Sequence, residues 1–248
     1  MLSYARKYNK TVQVGTQRRS TPHLIEAKQK IVDQGLLGQI AHVDMCCYYH
    51  MRANGNPDVI PVPDFFDYDM WTGPAPLRPF DKLPHRGWWR TFMEYCNGII
   101  GDMCVHMFDT VRWMLDLDWP DRIYSTGGIL VQKNGKSNTP DTQTATFEYP
   151  DLKCVWNHRS WGNPVDPEYP WAFKIYGEKG MLAGSVWKYD FTPYGEGEAL
   201  HGDVVYEKEK FPEDLREKDL EIHTAPAMRR HMLDFLAAID SGKPPIAD

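Results

Sequence analysis

Asp102, His106 and Asp109 are the residues of this sequence best suited to chemistry, standing at i, i+4 and i+7 in GIIGDMCVHMFDTVRWML, residues 98–115. On a helix turning about 100° per residue, that spacing gathers them on one face, with Trp113 beside them. A carboxylate one turn from an imidazole orients the ring and fixes its tautomer, leaving the other nitrogen to act as general acid or base. The same side chains also suit a divalent ion in a metal-dependent hydrolase. Three ligands on one helix would need others from elsewhere, so no metal site is expected. Structural roles compete with both readings. Asp102 can cap the helix after Gly98 and Gly101, His106 can be a satisfied core histidine, and Asp109 can pair with Arg112 or Arg122.

The element that must present these groups is apolar almost all round. Cys104, Phe108, Val111 and Leu115 fall opposite the polar stripe, and Met103, Met107 and Met114 fill much of the arc between. The pattern predicts a buried helix, in which ionisable groups are costly unless paired.

The surrounding chain alternates helix and strand and then becomes strand-rich. LSYARKYNK reads as the tail of a helix and TVQVG, residues 11–15, as a buried strand. Thr21 is the expected N-cap of a helix with Pro22 in its first turn, running through Leu24, Lys28, Ile31 and Val32 to Gly35. IAHVDMCCYY is a strand by its β-branched and aromatic content. Residues 51–93 hold seven prolines between Asn56 and Pro84, and their aromatic content argues for an ordered lid or wall rather than a disordered linker. Trp71, Trp88, Trp89 and Trp161 suit the apolar face of a sugar ring, although a tryptophan is more often core.

After the central helix, RIYSTGGILVQK, TQTATFEYP, KCVWNHRSW, AFKIYGEKGMLAGS and DVVYEKEKF are expected strands. Turn signals at Pro150-Asp151 and at residues 177–180 make them antiparallel neighbours. A last helix spans residues 225–240, with Met228, Met232, Phe235, Leu236 and Ile239 on one face and Gly242 and Pro244 ending it. There are no internal repeats. The expected class is α+β: a mostly antiparallel open sheet with helices packed on one face.

Composition sets outer bounds. The 248 residues are 42% hydrophobic and 25% charged, as in an ordinary globular chain of one or two domains. A net charge of −6 without a basic run argues against a nucleic-acid partner, and no apolar stretch reaches membrane-spanning length. Five cysteines without CxxC spacing read as thiols of a reducing, cytoplasmic compartment. Met1 leads into a segment too polar for a signal peptide.

The order strand–GTQRRS–helix–GLLGQI–strand, then a long loop, WWRTF, GDMCVHMFDTVRWML and a sheet containing FKIYGEKGMLAGS resembles the Gfo/Idh/MocA oxidoreductases, relatives of glucose–fructose oxidoreductase and inositol dehydrogenase. The resemblance implies an NAD- or NADP-binding Rossmann domain followed by a substrate-binding α/β sheet domain. By position, His106 matches the histidine that exchanges a proton with the substrate hydroxyl, and Asp102 its acidic partner. Arg18, Asp109, Trp88 and Arg90 take substrate-contacting places, and Gln17 faces the nicotinamide. The substrate implied is a sugar, cyclitol or related polyol, and the sheet face implies a homo-oligomer.

The departures from the family pattern are as informative. The chain has neither G-x-G-x-x-G nor the Glu-Lys-Pro motif that carries the family's catalytic lysine. Residues 1–20 are therefore expected to be a remnant of the cofactor domain, and residues 21–248 the sheet domain, truncated at its C-terminal end. Two alternatives follow from the same resemblance. One is a non-catalytic oligomerisation module left by loss of the cofactor domain. The other is a member that uses NAD transiently during glycoside cleavage.

Overall fold

The computed structural model describes residues 2–52, 55–81, 88–216 and 220–248. Residues 53–54 and 82–87 of the expected lid lie outside the described residues. The elements in chain order are α1 (Leu2–Lys7), α2 (Pro22–Ala27), β1 (Ile40–Cys47), α3 (Tyr68–Thr72) and α4 (Val105–Met114). Next come β2 (Arg122–Gly128), β3 (Thr142–Glu148), β4 (Lys153–Arg159), β5 (Trp171–Gly177), β6 (Gly180–Ser185), β7 (Lys188–Pro193), β8 (Leu200–Asp203) and α5 (Ala225–Ser241). The strands form one eight-stranded open sheet among the described residues, ordered β2-β3-β4-β1-β5-β6-β7-β8. The fold is α+β, as the turn signals between the sequence's strand runs predict. The chain divides into two compact units: Met1–Val43, His106–Trp119 and Ala172–Asp248, and Asp44–Val105 with Pro120–Trp171.

In the second unit, β2 pairs with β3 and β3 with β4, both antiparallel, with Ala145 opposite Trp156 and Phe147 opposite Cys154. The period-2 alternation of β4 buries Cys154, Trp156 and His158 on one face. Strand β2 is exposed along nearly its whole length. The long loop is held by its own side chains. Arg52 is buried and donates to the carbonyls of Gln132, Ser137 and Thr139. Phe66, Tyr68, Trp71 and Phe80 pack edge to face and side by side. The aromatic loop is thus an ordered wall over its described length, as its composition predicts.

In the first unit, β5, β6, β7 and β8 form antiparallel neighbours, with Ile175 opposite Leu182 and Leu182 opposite Phe191. The turn between β5 and β6 meets the GLLGQ loop: the Glu178 N–H donates to the Gln39 carbonyl and the Lys179 N–H to that of Leu37. Gly177 has to be glycine there, because a Cβ would run into the Leu37 carbonyl oxygen.

Four expectations change. TVQVG is not a strand: Val12 and Val14 are exposed, and the Val14 amide donates to the Ala247 carbonyl. The segment is instead strapped to α5 by His231. Its Nε2 bonds the Val14 carbonyl, which can only accept, so Nε2 carries the proton and Nδ1 accepts from Ser20 Oγ. Residues 204–211 form no strand; the edge is supplied by β8, and β7, absent from the expected set, lies inside it. On α5 the apolar face faces outward, with Met228, Met232, Leu236 and Ile239 each at least half exposed. Its packed face is the small one, Ala225, Ala227, His231 and Ala238. Finally, the central helix is not α throughout, since Ile100–Cys104 is a π turn leading into α4.

Candidate functional site

The π turn alters which residues share a face. Each residue in it bonds five positions on rather than four, so the regular i, i+4 stacking is interrupted between Asp102 and His106. The core face of α4 is accordingly Met107, Val111 and Met114 with Thr110, all essentially buried, rather than the expected line through Phe108 and Leu115.

Asp102 is tied down within the second unit. Trp89–Thr91 form a 3-10 turn that presents Arg90, whose Nε donates to Asp102 Oδ2 at 2.5 Å. Both side chains are less than one-fifth exposed, so water and salt screen the pair only partly. The Arg90 guanidinium also lies 5.0 Å from the centre of the Trp89 ring. Trp88 beside them is exposed. Three of the anticipated substrate contacts, Trp88, Arg90 and Asp102, thus come from one unit, two of them directly bonded. Asp102 lies inside the π turn and is not a helix cap.

Asp109 is tied down within the first unit, and its partner is neither Arg112 nor Arg122. Arg19 grips it through two bonds, Nε to Oδ2 at 2.8 Å and Nη2 to Oδ1 at 2.6 Å, and places Nη1 on the Ile246 carbonyl at 3.0 Å. Such a two-pronged guanidinium–carboxylate pair fixes both position and plane. Arg112 is engaged with the Asp118 carbonyl and the Trp119 ring. Arg19 is the residue sequence reasoning missed. Its only signal was the adjacent pair in QRRS, which does not say which arginine turns toward the helix.

Arg18 is buried at 4% exposed and is not the surface charge its place near a turn suggests. Its charge, with burial as the larger cause, helps push the His23 and His223 imidazoles below their usual values. Gln17 is half-buried at the start of the same 3-10 turn, Gln17–Ser20. His106 is half-buried, its Nδ1 is withdrawn from solvent, and its carbonyl accepts from Thr110 Oγ1 at 2.7 Å. Along the sequence, His106 stands between two carboxylates, each oriented by its own arginine within its own unit.

The cysteines are all free thiols, and burial pushes Cys47 and Cys154 up to about 12 and Cys104 further still. These three stay protonated and serve as packing. Among the described residues no three histidines, cysteines or acids gather as metal ligands do. Nor is any helix long and apolar enough to cross a membrane.

Residues 23–126, which include the central stretch, match the model of an oxidoreductase family, C-terminal alpha/beta domain (GFO_IDH_MocA_C2). That stretch belongs to the Gfo/Idh/MocA oxidoreductase family. No curated protein matches the chain. The fold recurs in an oxidoreductase from Agrobacterium radiobacter in complex with NAD+, L-tartaric acid and magnesium. It is 12% identical with a TM-score of 0.61, covering 99% of this chain and 60% of that one. An inositol dehydrogenase homolog from Azotobacter vinelandii, complexed with NADH and myo-inositol, is 15% identical with a TM-score of 0.58, over 96% of this chain and 55% of that one. An aldose-aldose oxidoreductase from Caulobacter crescentus complexed with glycerol is 13% identical with a TM-score of 0.62, over 99% and 58%. The chain therefore spans about three-fifths of the length of these relatives.

The pyrophosphate of the nicotinamide dinucleotide found with two of those structures has no glycine-rich cradle in the turn after Gly15. A pyrophosphate needs free amides at a helix N-terminus within a glycine-rich turn. In the turn after Gly15, whose only glycine is Gly15, three amides are taken up internally: Thr16 bonds Val14, Arg19 bonds Thr16 and Thr21 bonds Arg18.

Proposed function

We propose that this chain is the substrate-side portion of an NAD- or NADP-dependent oxidoreductase acting on a sugar, cyclitol or related polyol. Residues 1–20 belong with the cofactor domain and residues 21–248 with the substrate domain. His106 exchanges a proton with the substrate hydroxyl whose carbon is oxidised or reduced. Asp102 and Asp109 receive neighbouring hydroxyls, while Arg90 and Arg19 hold the two carboxylates in place. Trp88 and Arg18 complete the substrate contacts, and Gln17 is the chain's own contact to the cofactor, which is otherwise bound by residues outside this sequence.

The observation that carries this reading is the pair of guanidinium clamps on Asp102 and Asp109, on either side of His106 in sequence. A carboxylate made rigid by a guanidinium is an economical way to hold a hydroxyl of a polyhydroxylated ring. Relatives of this fold complexed with myo-inositol and glycerol agree with that substrate class. Assembly into a homo-oligomer through the exposed sheet face belongs to the same reading, since Ile123 and Tyr124 on β2 are more than half exposed.

The test uses the enzyme complete with its nicotinamide-binding portion. His106→Ala should lower kcat by about 10²–10⁴-fold, the usual worth of a general acid–base group. Cofactor affinity and melting temperature should hold. Asp102→Asn should also lower kcat, and the double variant should be clearly less than multiplicative. Unimpaired single-turnover transfer in His106→Ala overturns the assignment.

A further inference from the structure

A pocket that contains none of His106, Asp102, Asp109, Arg90, Trp88 or Arg18 opens in the second unit beside α3. Its volume is about 380 Å³, within the range of small-molecule sites. Trp71, Trp89 and Tyr95 supply its large walls, Pro74 and Ala75 its small ones, and among the described residues Glu94 is the only charged side chain lining it.

The aromatic walls are set at an angle. The Trp71 and Tyr95 rings lie 4.9 Å apart at 63°, forming a corner rather than a flat platform. Trp71 is held from behind by Tyr68, stacked at 6.0 Å, and by Phe66 at 6.2 Å. Glu94 is anchored as well. Asn138 Nδ2 donates to its Oε2 at 3.0 Å, and the Asn138 Oδ1 in turn accepts from the Met93 amide at 2.7 Å. Arg90, over the Trp89 ring, has its charge matched by Asp102, and Arg78, whose charge reaches Tyr95, is paired with Asp81.

An angled pair of aromatic rings with one fixed carboxylate and, among the described residues, no lining cation is complementary to a positive charge of low hydration. Ring quadrupoles attract such a cation, and its methyl groups fill the apolar walls at little desolvation cost. A flat sugar ring would find a corner where it needs a plane, and a single carboxylate where it needs both donors and acceptors. We propose that this pocket binds a methylated or otherwise alkylated ammonium group.

The experiment titrates the 248-residue chain with choline, with its neutral isostere 3,3-dimethylbutan-1-ol and with methyl glucoside, following tryptophan fluorescence and heat. Choline should bind saturably and at least about 10-fold more tightly than the neutral isostere, as expected from about 1–2 kcal/mol of cation–π attraction. Trp71→Ala should abolish binding. Because Trp71 is packed among other rings, Glu94→Gln gives the cleaner variant. Its side chain is exposed, it should melt like the parent, and it should weaken choline by about 10-fold. Equal binding of choline and the isostere, saturation by methyl glucoside instead, unchanged affinity in Glu94→Gln, or no binding of choline each overturns the proposal. No turnover is read, so these outcomes leave the assignment of His106 untouched.

Discussion

His158 shows how burial sets the charge of a single residue. It sits inward on β4 at 2% exposure, bonds the Pro140 carbonyl through Nε2, and burial lowers its pKa from 6.5 to about 4. The Pro140 bond and the Asp141 charge act in the opposite sense without restoring it. Between pH 6.5 and about 4 the unfolded chain therefore binds a proton that the folded chain refuses, so stability is present above pH 6.5 and is lost as pH falls through that window. The shift corresponds to about 3 kcal/mol. Chemical denaturation across pH 7 to 4 should show this loss, and His158→Gln should flatten the dependence; an unchanged slope in the variant would show that other groups carry it. The same distinction between touching and merely neighbouring applies to Arg18 and Arg19. They are adjacent in sequence, yet one is buried near His23 and His223 and the other grips Asp109.

At the scale of elements, the loop between β2 and β3 is organised from two sides. Asp141 is fully buried and accepts from the amides of Leu130, Val131 and Gln132 and from Thr142 Oγ1. Burial by itself would raise its carboxyl, but these bonds outweigh it and hold the group below its usual value. Arg52 grips the same loop through three carbonyls. Asp141→Asn removes the charge and turns one acceptor into a donor facing amides, which should cost about 2–3 kcal/mol. The melting temperature should fall accordingly, and the amides of residues 130–132 should lose protection in hydrogen exchange. If those amides stay protected, the carboxylate is not what organises the loop. The π turn at Ile100–Cys104 is the other element-scale feature, since it sets how the helix is entered and which methionines reach the core.

At the scale of the whole molecule, the chain keeps two apolar surfaces open. One is β2 with Ile123 and Tyr124, followed by Leu130 and Val131; the other is the outer face of α5. An exposed edge strand invites pairing with another chain. Sedimentation of the purified chain should give a concentration-dependent dimer or higher species through the sheet face. Ile123→Lys should shift it toward monomer without changing the circular dichroism. A monomer at all concentrations would remove the sheet face as an interface.

The sequence by itself determined the local and the periodic features. Composition marked the described part of residues 51–93 as an aromatic wall, the Pro150-Asp151 turn signal separated β3 from β4, and Gly35, Gly242 and the 177–180 turn ended or reversed elements where the chain does so. The spacing of Asp102, His106 and Asp109 singled out the stretch that the family match also covers. Only the tertiary structure decided their partners, because Arg19 lies 90 residues from Asp109 and nothing local selects it over Arg112. The same holds for TVQVG, whose β-branched residues favour a strand but whose bonds run to α5 and the C-terminal segment. It holds also for the face of α5, where hydrophobicity marks the apolar stripe while close packing takes the small residues opposite it. Periodicity records which side chains share a face; what that face meets is a long-range choice, made by shape and by the pairing of buried charge.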